Sequence, residues 1–133
     1  MPEQTLTTLE AETERILRLL DAMELDALGA TLTDDAQSVD EITRGWTRGR
    51  AAIDAYLRQL RDTVSDIQSH ARDLHATSWG DTGIVTFVLE QTYTLNRAQQ
   101  TLEAPTSMVF RRIRDSWKVA LIHTVPLPDD ANS

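Results

Sequence analysis

Few side chains in this sequence can move a proton or orient a polar ligand, and most of them fall inside apolar runs. Asp40 stands in "AQSVDEI", where period-two alternation sets it on one face with Ser38, and Val39 with Glu41 on the other. His123 stands near the end of "WKVALIHTV"; an imidazole titrates near neutrality and can serve as acid or base. Tyr56 shares a helical stripe with Ile53, Leu57, Leu60 and Val64, so its hydroxyl projects from a core-facing surface. Gln91 and Tyr93 share a strand face with Phe87 and Leu89, and become polar contacts of an interior site if that face turns inward. Trp46, in the glycine-containing run "TRGWTRGR", is placed to roof such a site. Each group also has a plainer role: Asp40 as a capping or solvated carboxylate, His123 as a hydrogen-bonded strand residue, Tyr56 as core.

Other chemistries are excluded by residue type or spacing. The sequence has no cysteine, which removes disulfides, thiol catalysis and thiolate metal sites and suits a reducing cytosol. His70 and His75 are five apart on an expected strand, so they point to opposite faces, and no metal site is expected. No glycine-rich phosphate loop or serine elbow is present. A net charge of −8 disfavours nucleic acid and anionic membranes as partners, and Arg111, Arg112 and Arg114 beside Asp115 read as a solvated strand face. The N-terminus lacks a basic start followed by an apolar core, and no apolar run reaches membrane-spanning length, so the protein is expected to be cytoplasmic.

The elements that position these residues follow from periodicity. A chain of 133 residues suits one domain, with a core over about residues 7–126 and loose ends. Leu6, Leu9, Thr13, Ile16, Leu20 and Met23 mark an amphipathic helix. Leu25, Leu28 and Leu32 mark a short second helix that "TDDA" ends. A strand over Ala36 to Ile42 follows, then a loop, then the third helix over "RAAIDAYLRQLRDTV". The period then changes to two through "IQSHARDLHATSW", "IVTFVLEQTYTL", "TLEAPTSMVFRRIR" and "WKVALIHTV", with turns at "GDTG", "NRAQQ" and "DS". In the last strand Trp117, Val119, Leu121 and His123 fall on one face and Lys118, Ala120, Ile122 and Thr124 on the other, until Pro126 and Pro128 end it. Helices followed by a meander argue an α+β fold with helices on one sheet face. The second face, carrying Ile84 and Val88, then calls for a partner, and a two-fold dimer is the economical one.

The order "TDDAQSVDEI", "RGWTRGRAAIDAYL", "GDTGIVTF" and "SWKVALIHTVP" resembles the nuclear transport factor 2-like superfamily, in its SnoaL-like and ketosteroid-isomerase-like branches, over Thr7 to Pro126. The resemblance implies a cone: a curved antiparallel sheet wrapped around three N-terminal helices, a cystatin-like roll, open at one end and often paired through its outer face. It implies no cofactor, a small apolar or carbonyl-containing ligand, and a homodimer. It also makes Asp40 the match of a catalytic aspartate that points into the cone, where desolvation favours a carboxyl acting as a base next to a carbonyl, the pattern of the ketosteroid isomerases.

The isomerases also carry a tyrosine on the first helix and a protonated aspartate on a later strand; the matching places hold Ile16 and the run Thr106, Ser107, Met108. Loss of those donors argues against steroid isomerisation. An Asp-Arg-Asp hydrolase arrangement would need Arg72 or Arg111 to converge on Asp40. Two readings follow: a proton-transfer enzyme of the isomerase, cyclase or dehydratase type with Asp40 as base and His123 or Tyr56 as its partner, or a non-catalytic ligand-binding or dimerisation module of the same fold.

Overall fold

In the computed structural model, which describes residues 2–40 and 44–125, helix α1 (Pro2–Asp21) buries Leu9, Thr13, Ile16 and Leu17 along one stripe. Its other side carries the Arg15–Glu12 pair and an Arg18–Glu14 pair at 3.1 Å, one helical turn apart as helix geometry requires. Helix α2 (Leu25–Ala30) is followed by strands β1 (Leu32–Val39) and β2 (Thr47–Arg48), then helix α3 (Arg50–Thr63). Gly49, at φ 89°, opens α3 with a backbone conformation that side chains rarely allow. Strands β3 (Val64–Trp79), β4 (Thr82–Leu95), β5 (Ala98–Ile113) and β6 (Ser116–Thr124) complete the chain order. The six-stranded sheet runs β2-β1-β6-β5-β4-β3. It does not close, and all its pairs are antiparallel except β1 with β6, which are parallel.

The three helices cover one face of this curved sheet, as the α+β reading requires. Phe110, Leu9, Val85 and Val119 are fully buried between them. Arg50 fastens the α2–β1 corner, donating to the carbonyls of Gly29 and Leu32 at 2.8 Å each and to Asp34 Oδ1 at 3.1 Å. Among the described residues no helix is long and apolar enough to cross a membrane.

Local boundaries differ from expectation where turn chemistry or a partner strand overrides periodicity. Leu32 and "TDDA" belong to β1, which pairs with β6 at Leu32 and again from Gln37 onward; the expected second helix ends at Ala30. The loop "TRGWTRGR" contributes the two-residue strand β2, and Val64 opens β3 rather than continuing α3. The "NRAQQ" loop contracts to Asn96 and Arg97, both at positive φ (53° and 68°), the backbone of a primed two-residue hairpin. The last turn is Arg114–Asp115, one residue earlier than "DS". Of the expected features, Glu41, Ile42, Pro126 and Pro128 lie outside the described residues.

Bulges set which residues face inward. On β3, Asp66 and Asp73 adopt positive φ (54° and 61°), and the pairing with β4 slips at each. Every extra residue exchanges the inward and outward sets. Val64, then Ile67 and Ala71, then Ala76 are therefore all buried despite their mixed spacing. On β6, Val109 pairs with Leu121 but Phe110 with Val119, which leaves Ala120 as the extra residue. The expected single face of Trp117, Val119, Leu121 and His123 is thus divided: Val119 is buried, Leu121 and His123 turn outward, and Ile122 and Thr124 turn inward.

Candidate functional site

Between α1, α3 and the concave face of the sheet lies a cavity of about 150 Å³. Its wall is largely hydrocarbon, from Ile16 and Leu20 of α1, Ile53 and Leu57 of α3, and Phe87, Leu89 and Met108 of the sheet. Strand β4 contributes Phe87, Leu89, Gln91 and Tyr93 because these alternate positions face the helices, the orientation that the sequence required for them to be interior contacts.

Asp40 follows the end of β1 on the same side as Ser38 and lines this cavity. Tyr56, one turn along α3 from Ile53, lines it from above and donates its hydroxyl hydrogen bond to Asp40 Oδ2. A tyrosine hydroxyl on a half-buried carboxylate is a charge-assisted bond; it fixes the orientation of a side chain at the end of a strand. Gln91 donates from Nε2 to Ser69 Oγ at 2.9 Å, and the Ser69 N–H donates to Asp21 Oδ2 at 3.0 Å, so the amide is held by its neighbouring strand. Asp21 Oδ1 is buried with no hydrogen-bond partner among the described residues. Farther along the wall, Thr106 Oγ1 donates to the Ala104 carbonyl at 3.1 Å and lies 3.5 Å from Thr124 Oγ1.

Of the residues singled out from the sequence, Asp40, Tyr56, Phe87, Gln91 and Tyr93 meet at the cavity. His123 and Trp46 do not line it. The β6 bulge turns His123 to the outer surface, where its ring lies 5.9 Å from that of Trp46, and the Arg48 guanidinium covers Trp46 at 5.4 Å. Both rings are exposed. Bulging also alters the histidine geometry on β3: His70 and His75 lie on either side of the Asp73 bulge and so share the outer side. Among the described residues no cluster of three or more histidine or acidic side chains is arranged to hold a metal ion. Arg72 is committed elsewhere, donating to Glu90 at 3.3 Å and Glu103 at 2.9 Å, and does not line the cavity; nor does Arg111.

The inward hydroxyl of Thr124 is the site feature that alternation hides. Uninterrupted period-two counting puts it opposite Val119; the one signal in the sequence is that β6 is apolar on both parities, with Val119 and Ile122 each needing burial.

Residues 10–127 match the family model of the SnoaL-like domain. A candidate dehydratase of the nuclear transport factor 2-like family from Streptomyces avermitilis superposes with a TM-score of 0.87 at 16% identity, over 97% of this chain and 100% of that one. A ketosteroid isomerase-like protein from Erwinia carotovora atroseptica gives 0.80 at 20% identity, over 93% of this chain and 97% of the other. The hub of a calmodulin-dependent kinase II from S. rosetta gives 0.79 at 16% identity, over 92% and 96%. No curated protein matches the chain.

Proposed function

The chain belongs to the SnoaL-like domain family, and from that premise we propose that it takes a small, largely apolar carbonyl compound into its cavity and moves a proton on it, as an isomerase, cyclase or dehydratase does. The observation that carries this reading is a carboxylate, Asp40, lining a cavity that is otherwise mostly hydrocarbon and held there by the Tyr56 hydroxyl. A base of this kind is effective when positioned within reach of a carbon-bound proton and shielded from bulk water. Gln91 and Tyr93 supply polar contacts to the ligand and Phe87 an apolar wall. His123 lies across the sheet from this chemistry and has no part in it. The structural neighbours named as a dehydratase and as ketosteroid isomerase-like are consistent with such a use of the fold.

The test is exchange of the α-protons of cyclohexanone for deuterium, followed by proton NMR in heavy water with and without protein. The wild type should accelerate exchange, and Asp40→Asn should return it to the buffer rate. Equal rates with wild-type protein and with buffer alone would sink the reading.

A second reading concerns association. On the outer sheet face Ile84, Val88, Val109 and Leu121 form a half-exposed apolar band across β4, β5 and β6. A second copy related by a two-fold axis would cover it, and the neighbour called a hub favours self-association as a use of this fold. If the cavity binds nothing, this face is the functional one. The cysteine-free composition fits a cytoplasmic setting.

A further inference from the structure

We propose that Thr124, backed by Thr106, is the hydroxyl donor that receives the substrate's carbonyl oxygen, and that the substrate is a single-ring or comparably short carbonyl compound. The inference rests on the proton-transfer reading above.

Four observations lead to it. Thr124 and Thr106 are 7% and 4% exposed, face each other across β6 and β5, and both line the cavity. Thr106 spends its single proton on the Ala104 carbonyl at 3.1 Å, with Thr124 Oγ1 at the edge of reach at 3.5 Å. With that proton spent, Thr106 Oγ1 can only accept, so the Thr124 proton faces a neighbouring hydroxyl oxygen that is 3.5 Å away, at the limit of a hydrogen bond. A hydroxyl pair that far apart is a weak bond, since O–H···O contacts are strongest at about 2.7–2.8 Å, so a ligand carbonyl placed in the cavity at ordinary hydrogen-bond distance is the better acceptor for the Thr124 proton. Finally, the last β1–β6 pair sets Val39 beside His123, so the next residues along the two strands, Asp40 and Thr124, follow on the inward side of neighbouring strands.

The chemistry needs that arrangement. Asp40 removes a proton from the carbon next to the carbonyl. The C–H electron pair becomes the new carbon–carbon double bond, and the carbonyl π pair moves onto oxygen. The growing negative charge on that oxygen meets the Thr124 hydroxyl. In a substrate with a double bond β,γ to the carbonyl, return of the same proton from Asp40 to the γ carbon collapses the charge and gives an isomer of unchanged composition; in a saturated ketone the proton returns to the α carbon, which deuterium exchange reads. Thr124 thus supplies a donor that Ile16 and Met108 cannot. Size narrows the ligand: apolar cavities of about 150 Å³ accept benzene-sized guests, well below the ~300–1,000 Å³ of sites for larger ligands. At about 150 Å³ this cavity suits one ring.

The experiment uses cyclohexanone labelled with carbon-13 at its carbonyl. In wild type the bound carbonyl resonance should move in the direction of a hydrogen-bonded ketone. Thr124→Val, close in shape but without the hydroxyl, should slow α-deuterium exchange by about 100-fold, as loss of one oxyanion donor does, and return the carbonyl resonance toward that of a ketone in an apolar medium. Thr124→Ser should restore both. If Thr124→Val exchanges at the wild-type rate, or leaves the bound carbonyl resonance where it was, the donor assignment is wrong while the base stands. If wild-type protein neither binds nor exchanges cyclohexanone, the proton-transfer reading has failed and this inference with it.

Discussion

The bond between Tyr56 and Asp40 links α3 to the end of β1, and its strength can be worked out before it is measured. Tyr56→Phe keeps the ring in its place among Ile53, Leu57 and the cavity wall and removes only the hydroxyl. Hydrogen bonds to a charged group contribute about 1.5–3 kcal/mol when well shielded. Both partners here are half-buried, so water competes, and about 1–2 kcal/mol is the reasonable expectation. Removing the carboxylate by Asp40→Ala has no fixed sign, because the lost bond is offset by relief of a carboxylate's desolvation in an apolar wall. The coupling between the two changes does have a sign. A double-mutant cycle should give about 1–2 kcal/mol of interaction, since residues in contact depart from additivity. Urea unfolding followed by tryptophan fluorescence reads it: at a slope of about 1–2 kcal/mol per molar, Tyr56→Phe should lower the midpoint by about 1 M. Additivity within about 0.3 kcal/mol would mean that the bond does not hold the carboxylate in solution, and the argument for a positioned base would fall.

Other expectations follow from separate parts of the molecule. A Cβ at position 83 would stand 2.6 Å from Leu9 Cδ1, and Leu9 is fully buried, so Gly83→Ala should cost about 1–3 kcal/mol by overpacking; an unchanged melting temperature would contradict this. Arg97 sits at φ 68° in a primed hairpin turn, and Arg97→Gly should stabilise by about 0.5–1 kcal/mol, with a lowered urea midpoint as the contrary result. Phe110 is fully buried, and Phe110→Ala should lose about 3–5 kcal/mol in the same assay. If the outer face joins two copies, light scattering should give twice 15.0 kDa for wild type and a single chain mass for Val88→Glu; a wild type already at 15.0 kDa would remove the dimer reading.

The element order was legible because α1, α3 and β4 carry clean periods: Ile53, Leu57 and Leu60 at helical spacing, and Val85, Phe87 and Leu89 at alternation. Asp40, Tyr56, Gln91, Tyr93 and Phe87 could be brought toward one place because each lies on such an uninterrupted stretch. His123 and Thr124 exchanged sides because a single extra residue at Ala120 reverses alternation without changing composition. The parallel pairing of β1 with β6 was hidden for a different reason: its partners lie some eighty positions apart, and no local pattern tells a strand which distant edge will receive it. The tight Asn96–Arg97 turn was missed because arginine at positive φ is an unfavourable choice that the surrounding ladder enforces.

The bulges at Asp66, Asp73 and Ala120 also bear on how this chain is compared with distant relatives. Each resets the count between inside and outside, so β3 behaves as three short strands laid end to end. A residue-by-residue alignment to a relative without one of these insertions, unless it opens a gap there, will set wall-lining positions against surface positions for the rest of that strand. At 16% identity such a slip erases little apparent similarity, yet it transfers functional assignments to the wrong side of the sheet. Bulge positions are therefore the places where relatives should be brought into register first, before any side chain is carried from one to another.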